Sequence, residues 1–134
     1  KQLAKQPDEM ITAIRFKKPG SDFRFNFEKV CKRTYLDIAT VNTAISMSVA
    51  SASADAFTII DVHVSVGGVA PIPSYLKETS AFLDGQEVNE ETITAANEIM
   101  QSEISPISDV RGTEAYKRLL LRQLFRAHFF EIFE

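Results

Sequence analysis

The stretch "FRFNFEKVCKRTYLDIATVNTAISMSVA" (Phe23–Ala50) decides the fold. Its first eight residues put Phe23, Phe25 and Phe27 on one side and Arg24, Asn26 and Glu28 on the other. That two-residue period predicts a half-buried antiparallel strand. The last ten repeat the period with β-branched residues, and Val41, Thr43, Ile45, Met47 and Val49 share a face. Between them lies a connector holding a small basic cluster, Lys29, Cys31, Lys32 and Arg33, followed by Asp37.

Working outward, the pattern stays β on both sides. "MITAIRFK" (Met10–Lys17) alternates and predicts an earlier strand, and "KPGSD" a turn after it. "SASAD" (Ser51–Asp55) has the composition of a hairpin loop. "FTIIDVHVSVGGVA" predicts a further strand carrying Ile60, Val62, Val64 and Val66, with Gly67–Gly68 at its end as a bulge or close backbone approach.

After Pro71 the period changes. Ser74 can cap a first helix holding Tyr75, Leu76, Ala81, Phe82 and Leu83, and Gly85 suits the left-handed residue past its end. Asn89 is the expected cap of a second helix, with Glu90 and Glu91 in its first turn and Val88 stapled to Ile93. Ile93, Ala96, Met100 and Ile104 make its apolar stripe. A third helix is expected from Thr113 to about Phe133, with Tyr116, Leu120, Leu124 and Phe125 inward. Strands followed by helices predict an α+β domain: an antiparallel sheet of three to four strands with three helices packed on one face.

Composition sets limits. A chain of 134 residues with 45% hydrophobic content is long enough for one domain with a real core. Its single cysteine, Cys31, rules out an internal disulfide or a multi-cysteine metal site, and two histidines are few for a metal centre. No metal site is therefore expected. No apolar run is long enough to cross a membrane, and the first residues lack a signal-peptide core, so a cytoplasmic location is expected. The sequence has no initiator Met and reads as a piece of something larger.

Up to Leu36 there are nine cations against four anions, whereas Glu78–Asp109 holds eight anions and no cation. A net charge of −3 argues against nonspecific nucleic-acid binding. The acidic span reads as solvated surface without calcium-loop spacing.

Enzyme motifs are absent: no Walker loop, no GxGxxG, no GxSxG. Asp61 and His63 share a strand face, as a catalytic pair would, although polar residues on the solvent side of a strand are the commoner origin of that pattern. Cys31 beside three cations could be a reactive thiolate or an inert buried thiol. Arg118, Arg122 and Arg126 form a ridge, either solvated or a docking surface, and His128 reads as part of the helix's polar edge. Lys29 either sits in water beside an Arg33–Asp37 pair or faces an anionic ligand or an electron-rich ring.

"PDEMITAIRF", "EKVCKRTYLDIATVNTAISM", "VSVGGVAPIP" and "SPISDVRGTEAYKRLLLRQLF" occur in the order expected of one family. They resemble the C-terminal domain of the FAD-binding subunit of molybdenum hydroxylases, the xanthine dehydrogenase and carbon monoxide dehydrogenase flavoprotein family. The "KxxxRxxxDIA" and "SDVRGxxxY" patterns together carry the likeness.

The resemblance implies a cap domain that closes one side of an FAD pocket while electrons pass from molybdopterin through iron–sulfur clusters to FAD and on to an acceptor. It implies that Lys29 and Ile11 border the flavin, that Arg33 and Asp37 order the connector, and that Asp109, Arg111 and Tyr116 are structural, Asp109 capping the last helix or pairing with Arg111. Residues 1–9 would be the tail of an upstream FAD-binding domain and 10–134 the C-terminal domain. Its partners would be that upstream domain and the iron–sulfur and molybdopterin subunits. The isolated chain would hold no FAD tightly, catalyse nothing by itself, and self-associate through apolar surface near Ile11 and Phe27. Thr34 and Tyr35–Leu36 stand where some relatives carry a second arginine and an acidic pair. The alternatives are a cofactor-free α+β interaction module and a small ligand-binding domain using the Asp61–His63 face.

Overall fold

A computed structural model describes residues 4–35, 38–51 and 56–133. Three long strands, β1 (Phe23–Val30), β2 (Val41–Ser51) and β3 (Phe57–Gly67), form an antiparallel meander, and the two-residue β4 (Ser74–Tyr75) closes it in the order β1-β2-β3-β4. Helices α1 (Lys77–Leu83), α2 (Glu90–Glu103) and α3 (Glu114–Phe133) follow. This is the α+β layout that the sequence pattern predicts.

The centre of the core is β2. Val41, Thr43, Ile45 and Met47 are buried in strict alternation and meet Val62, Val64 and Val66 of β3 under the helices. From α2 the expected stripe Ile93, Ala96, Met100 and Ile104 is buried, and α3 adds Leu121, Leu124, Phe125 and Phe129. The α2 start is built as its residues dictate: the Asn89 side chain accepts from the Thr92 amide at 2.8 Å, and Glu90 and Glu91 fill the first turn. Gly85 takes φ +81° past the end of α1.

Several expectations change. Met10–Lys17 is not a strand; its apolar residues lie exposed, Phe16 to 86%. Alternation supplies a suitable surface, but a strand also needs a hydrogen-bonded neighbour, and β1 pairs with β2 alone. Ser74 does not cap α1, because it pairs with Val66 in β4. The α1 start is instead capped from afar: Glu103, at the end of α2, accepts from the Glu78 amide at 2.9 Å and from the Thr79 amide at 2.8 Å.

On β3 a register shift opposite Ser46/Ser48 turns Ile59 inward and leaves Ile60 half-exposed. Tyr116 is likewise half-exposed, and α3 turns Lys117 and Leu121 to the core in its place. Most of the loop expected at Ser51–Asp55 lies outside the described residues, although the Ser51↔Phe57 pairing fits a hairpin.

Strand β1 holds the most consequential departure. Its register sets Arg24, Asn26 and Glu28 opposite Met47, Ile45 and Thr43, the buried face of β2. Phe25 and Phe27 stand opposite Ser46 and Ala44, on the side without helices, exposed to 61% and 51%. The phenylalanine face of this strand therefore points away from the chain's own core.

Candidate functional site

The uncovered sheet face has a definite relief. Along β2 it shows only small residues, Asn42, Ala44, Ser46 and Ser48, and β3 continues with Gly67, Ser65 and His63. Phe25 and Phe27 flank this floor on one side, and His63 with Tyr75 flank it on the other. Pairing sets Lys29 at the end of the phenylalanine row, in line with Asn42 and Gly67 across three strands. A Cβ on Gly67 would come within 2.8 Å of the Asn42 amide, so glycine keeps this corner open for it. Lys29 is exposed, on the same face as Phe25 and Phe27.

The sheet end beside Lys29 collects three connectors. Lys32, after β1, donates to the Val110 carbonyl between α2 and α3 at 2.7 Å. Gly68, after β3, takes φ +81°, and a Cβ there would lie 2.3 Å from the Thr40 carbonyl oxygen. Asp109 organises the third connector: one carboxylate oxygen accepts from the Arg111 amide at 2.8 Å and the other meets the Lys117 ammonium at 2.8 Å. The Lys117 and Arg111 bonds hold the Asp109 carboxyl below the usual carboxylate range. The pair expected with the Arg111 guanidinium is looser, at 3.8 Å. Lys117, buried from solvent, also donates to the Ile107 carbonyl at 2.8 Å. The stretches around Lys29, Gly67–Gly68 and Asp109–Tyr116, far apart in sequence, thus gather at one end of the sheet.

Other candidates separate from this corner. Ile11 lies in the exposed segment before β1 and is not brought into the sheet. Asp37 lies outside the described residues, and with it the expected Arg33–Asp37 pair. Cys31 is half-buried, its thiol donating to the Arg33 carbonyl at 2.9 Å. Asp61 and His63 do meet, at 3.3 Å, and Tyr75 adds a 2.9 Å bond to the other ring nitrogen. Asp61 adopts φ +50° at the bulge, its amide held by Asp84. All three side chains stand in solvent.

His128 is not on a polar edge. It is fully buried, with Thr43 Oγ1 3.4 Å from Nε2 and no partner for Nδ1 among the described residues. Burial lowers its pKa to about 4. The arginine ridge is no free docking surface either. Arg122 and Arg126 make two-pronged pairs with Glu98 and Glu90 of α2, and Arg118 reaches the Gln101 carbonyl at 2.9 Å. With Glu103 at the α1 start, much of the acidic span is structural rather than merely solvated. Among the described residues no group of three His, Cys, Asp or Glu could hold a metal, and no helix is long and apolar enough to cross a membrane.

Residues 27–132 match the family model of the CO dehydrogenase flavoprotein C-terminal domain, and the chain belongs to that family. Among curated proteins it is 28% identical over 119 residues to the nicotine 6-hydroxylase medium subunit of Paenarthrobacter nicotinovorans, covering 89% of this chain and 39% of the relative. It is 24% identical over 121 residues to the carbon monoxide dehydrogenase medium chain of Afipia carboxidovorans, covering 90% and 40%. The chain thus spans about two-fifths of the length of these relatives.

Among solved structures, carbon monoxide dehydrogenase from Hydrogenophaga pseudoflava superposes with a TM-score of 0.70 at 24% identity, covering 81% of this chain and 36% of that one. Quinoline 2-oxidoreductase from Pseudomonas putida 86 gives 0.68 at 19%, covering 82% and 36%. These likenesses establish the fold. The chain is a C-terminal domain of the FAD-subunit type found in molybdenum hydroxylases.

Proposed function

We propose that this chain caps the flavin of an FAD subunit in a xanthine dehydrogenase-like molybdenum hydroxylase. The observation that carries the reading is the outward phenylalanine row of β1 ending in Lys29. A strand that turns its aromatic residues away from its own core is built to be covered. The curated relatives are longer, and the matching family is a C-terminal one, which supports an upstream FAD-binding portion of the same polypeptide as the cover. Residues 1–9 would be its tail, and Ile11 an apolar contact to the ring.

The residues fit one side of a flavin and no more. Flat apolar side chains and an ammonium suit the isoalloxazine, while the phosphate-binding loops of the cofactor must come from elsewhere. FAD, when bound, supplies the two-electron carrier between iron–sulfur centres in partner subunits and a final acceptor. The contribution of this chain is electrostatic and steric. Lys29 favours extra negative charge on a neighbouring ring, and the phenylalanine row excludes water, which strengthens that effect.

The test uses the whole subunit. Lys29→Ala should slow flavin reduction or reoxidation at least tenfold with an unchanged melting temperature. Wild-type rates in that variant would remove Lys29 from the site. A folded subunit that purifies colourless, and stays so with added FAD, would favour the cofactor-free interaction module.

A further inference from the structure

The corner where the three connectors meet carries more positive charge than its own carboxylate can answer. Asp109 is committed to Lys117, whose buried ammonium it holds at 2.8 Å. The Arg111 guanidinium stands 3.8 Å from the same oxygen, and no guanidinium hydrogen bond to another described residue accompanies that contact. The Lys32 ammonium ties down the same turn through the carbonyl of Val110, the residue between Asp109 and Arg111. Among the described residues two cations, Lys117 and Arg111, thus meet one carboxylate, an excess of one positive charge at this turn in a chain of net charge −3.

Space adjoins this charge. Two cavities of about 260 and 310 Å³ share Gly68, Asp109, Arg111 and Lys117 as a common wall. Asn42 and Gly67 line the first, which makes it continuous with the Lys29 row, and Ser105 and Ile107 line the second. A Cβ at Gly68 would strike the Thr40 carbonyl oxygen, and glycine leaves this part of the wall as bare backbone. A guanidinium with its planar fork unengaged is matched to a carboxylate or a phosphate, which it binds through two parallel bonds.

We infer that the cavity walled by Gly68, Asp109, Arg111 and Lys117 is a binding site for a small-molecule oxyanion, a phosphate or a carboxylate, held by Arg111. Asp109 sets the geometry of the site: by engaging Lys117 and the Arg111 amide it fixes the turn and leaves the guanidinium for the ligand. The site requires no flavin, so it stands or falls apart from the reading above.

The experiment is calorimetric titration of the full subunit, flavin content recorded in parallel, with inorganic phosphate in one arm and acetate in the other. Saturable millimolar binding is expected in at least one arm. Phosphate alone assigns a phosphate ligand, and acetate alone a carboxylate. Arg111→Gln should weaken binding at least tenfold. Arg126→Gln, which removes the same charge far from the cavity, should leave binding unchanged. If Arg111→Gln does not fold, Arg111→Lys serves, with an intermediate loss expected. No saturable binding in either arm of the wild type overturns the assignment. So does equal weakening by the Arg111 and Arg126 variants, which would reduce it to general attraction by net charge.

Discussion

Compare the two faces of the sheet. Under the helices, Ile45, Met47 and Val64 are fully buried among Leu121 and Phe125. On the opposite face the same strands present Ala44, Ser46 and Ser65, bordered by exposed Phe25 and Phe27. The first face is a finished core. The second is a small-residue floor with aromatic walls, apolar enough to be covered and too shallow to fold around anything by itself. Stability therefore resides on one side of β1–β3, the proposed function puts recognition on the other, and substitutions should sort accordingly.

The sharpest way to break that contrast is to truncate one phenylalanine on each side. Phe125→Ala removes a fully buried ring and should cost about 3–5 kcal/mol in chemical denaturation. Phe27→Ser on the open face should change stability by less than about 1 kcal/mol. It should also reduce any concentration-dependent self-association seen by sedimentation, and abolish coverage of the face in the full subunit. Equal stability losses would mean that the phenylalanine row belongs to the core after all.

A second effect belongs to the covered side alone. His128 is buried neutral, its pKa lowered to about 4 from an ordinary 6.5. Between those values the unfolded chain holds a proton that the folded chain does not. The histidine's share of stability is therefore intact above pH 6.5 and drains away as the pH falls toward 4, by up to about 3 kcal/mol. The bond lost is the 3.4 Å contact of Nε2 with the buried Thr43 hydroxyl, so His128→Leu should cost about 1 kcal/mol at pH 7 and should flatten the acid limb of the stability profile. An unchanged acid limb in that variant would assign the slope to the carboxylates.

The two left-handed glycines sharpen the comparison at the connector end. Gly85 and Gly68 both have φ +81°, but a Cβ at Gly85 meets open space and one at Gly68 meets the Thr40 carbonyl oxygen at 2.3 Å. Gly85→Ala should cost about 1 kcal/mol for backbone conformation alone. Gly68→Ala should cost roughly twice that, because the backbone contact with Thr40 must open as well. Matching melting temperatures for the two variants would show that the β2 entry yields freely.

Much of the covered side was legible in the sequence because a buried face leaves a period. The β2 alternation, the α2 stripe and the Asn89 cap are all local signals, and each holds. The facing of β1 was not legible. A two-residue period marks a strand without saying which face the helices take, and that choice follows from the register with β2. Met10–Lys17 failed for a related reason, since pairing is a property of two segments.

Nothing in the sequence singles out Lys117, and His128 reads outward because polar residues default to the surface. They lie 11 residues apart on the stripe through Leu121 and Leu124, so spacing alone placed both inward. At the site, the sequence supplied Lys29 and Arg111 as separate positions. Their neighbourhood depends on Lys32 reaching Val110, 78 residues away, and no local pattern encodes that.

The smallest expected effect concerns the α2–α3 seam, where the ridge, open in sequence to a solvated or a docking reading, pairs with the carboxylates of α2. Arg122 and Glu98 bond at 2.9 Å with both side chains substantially in water. Solvent screens such a pair, and ordering two long side chains offsets part of its attraction, so Arg122→Ala should cost about 0.2–1 kcal/mol. That loss should shrink further at 1 M salt, where charges are screened within about 3 Å. Asn97 donates to the Arg122 backbone carbonyl, a contact that survives the substitution, so helix packing should persist. A partner that lost affinity for the Arg122→Ala subunit, with stability unaltered, would move recognition onto the helical side and undo the division between the two faces.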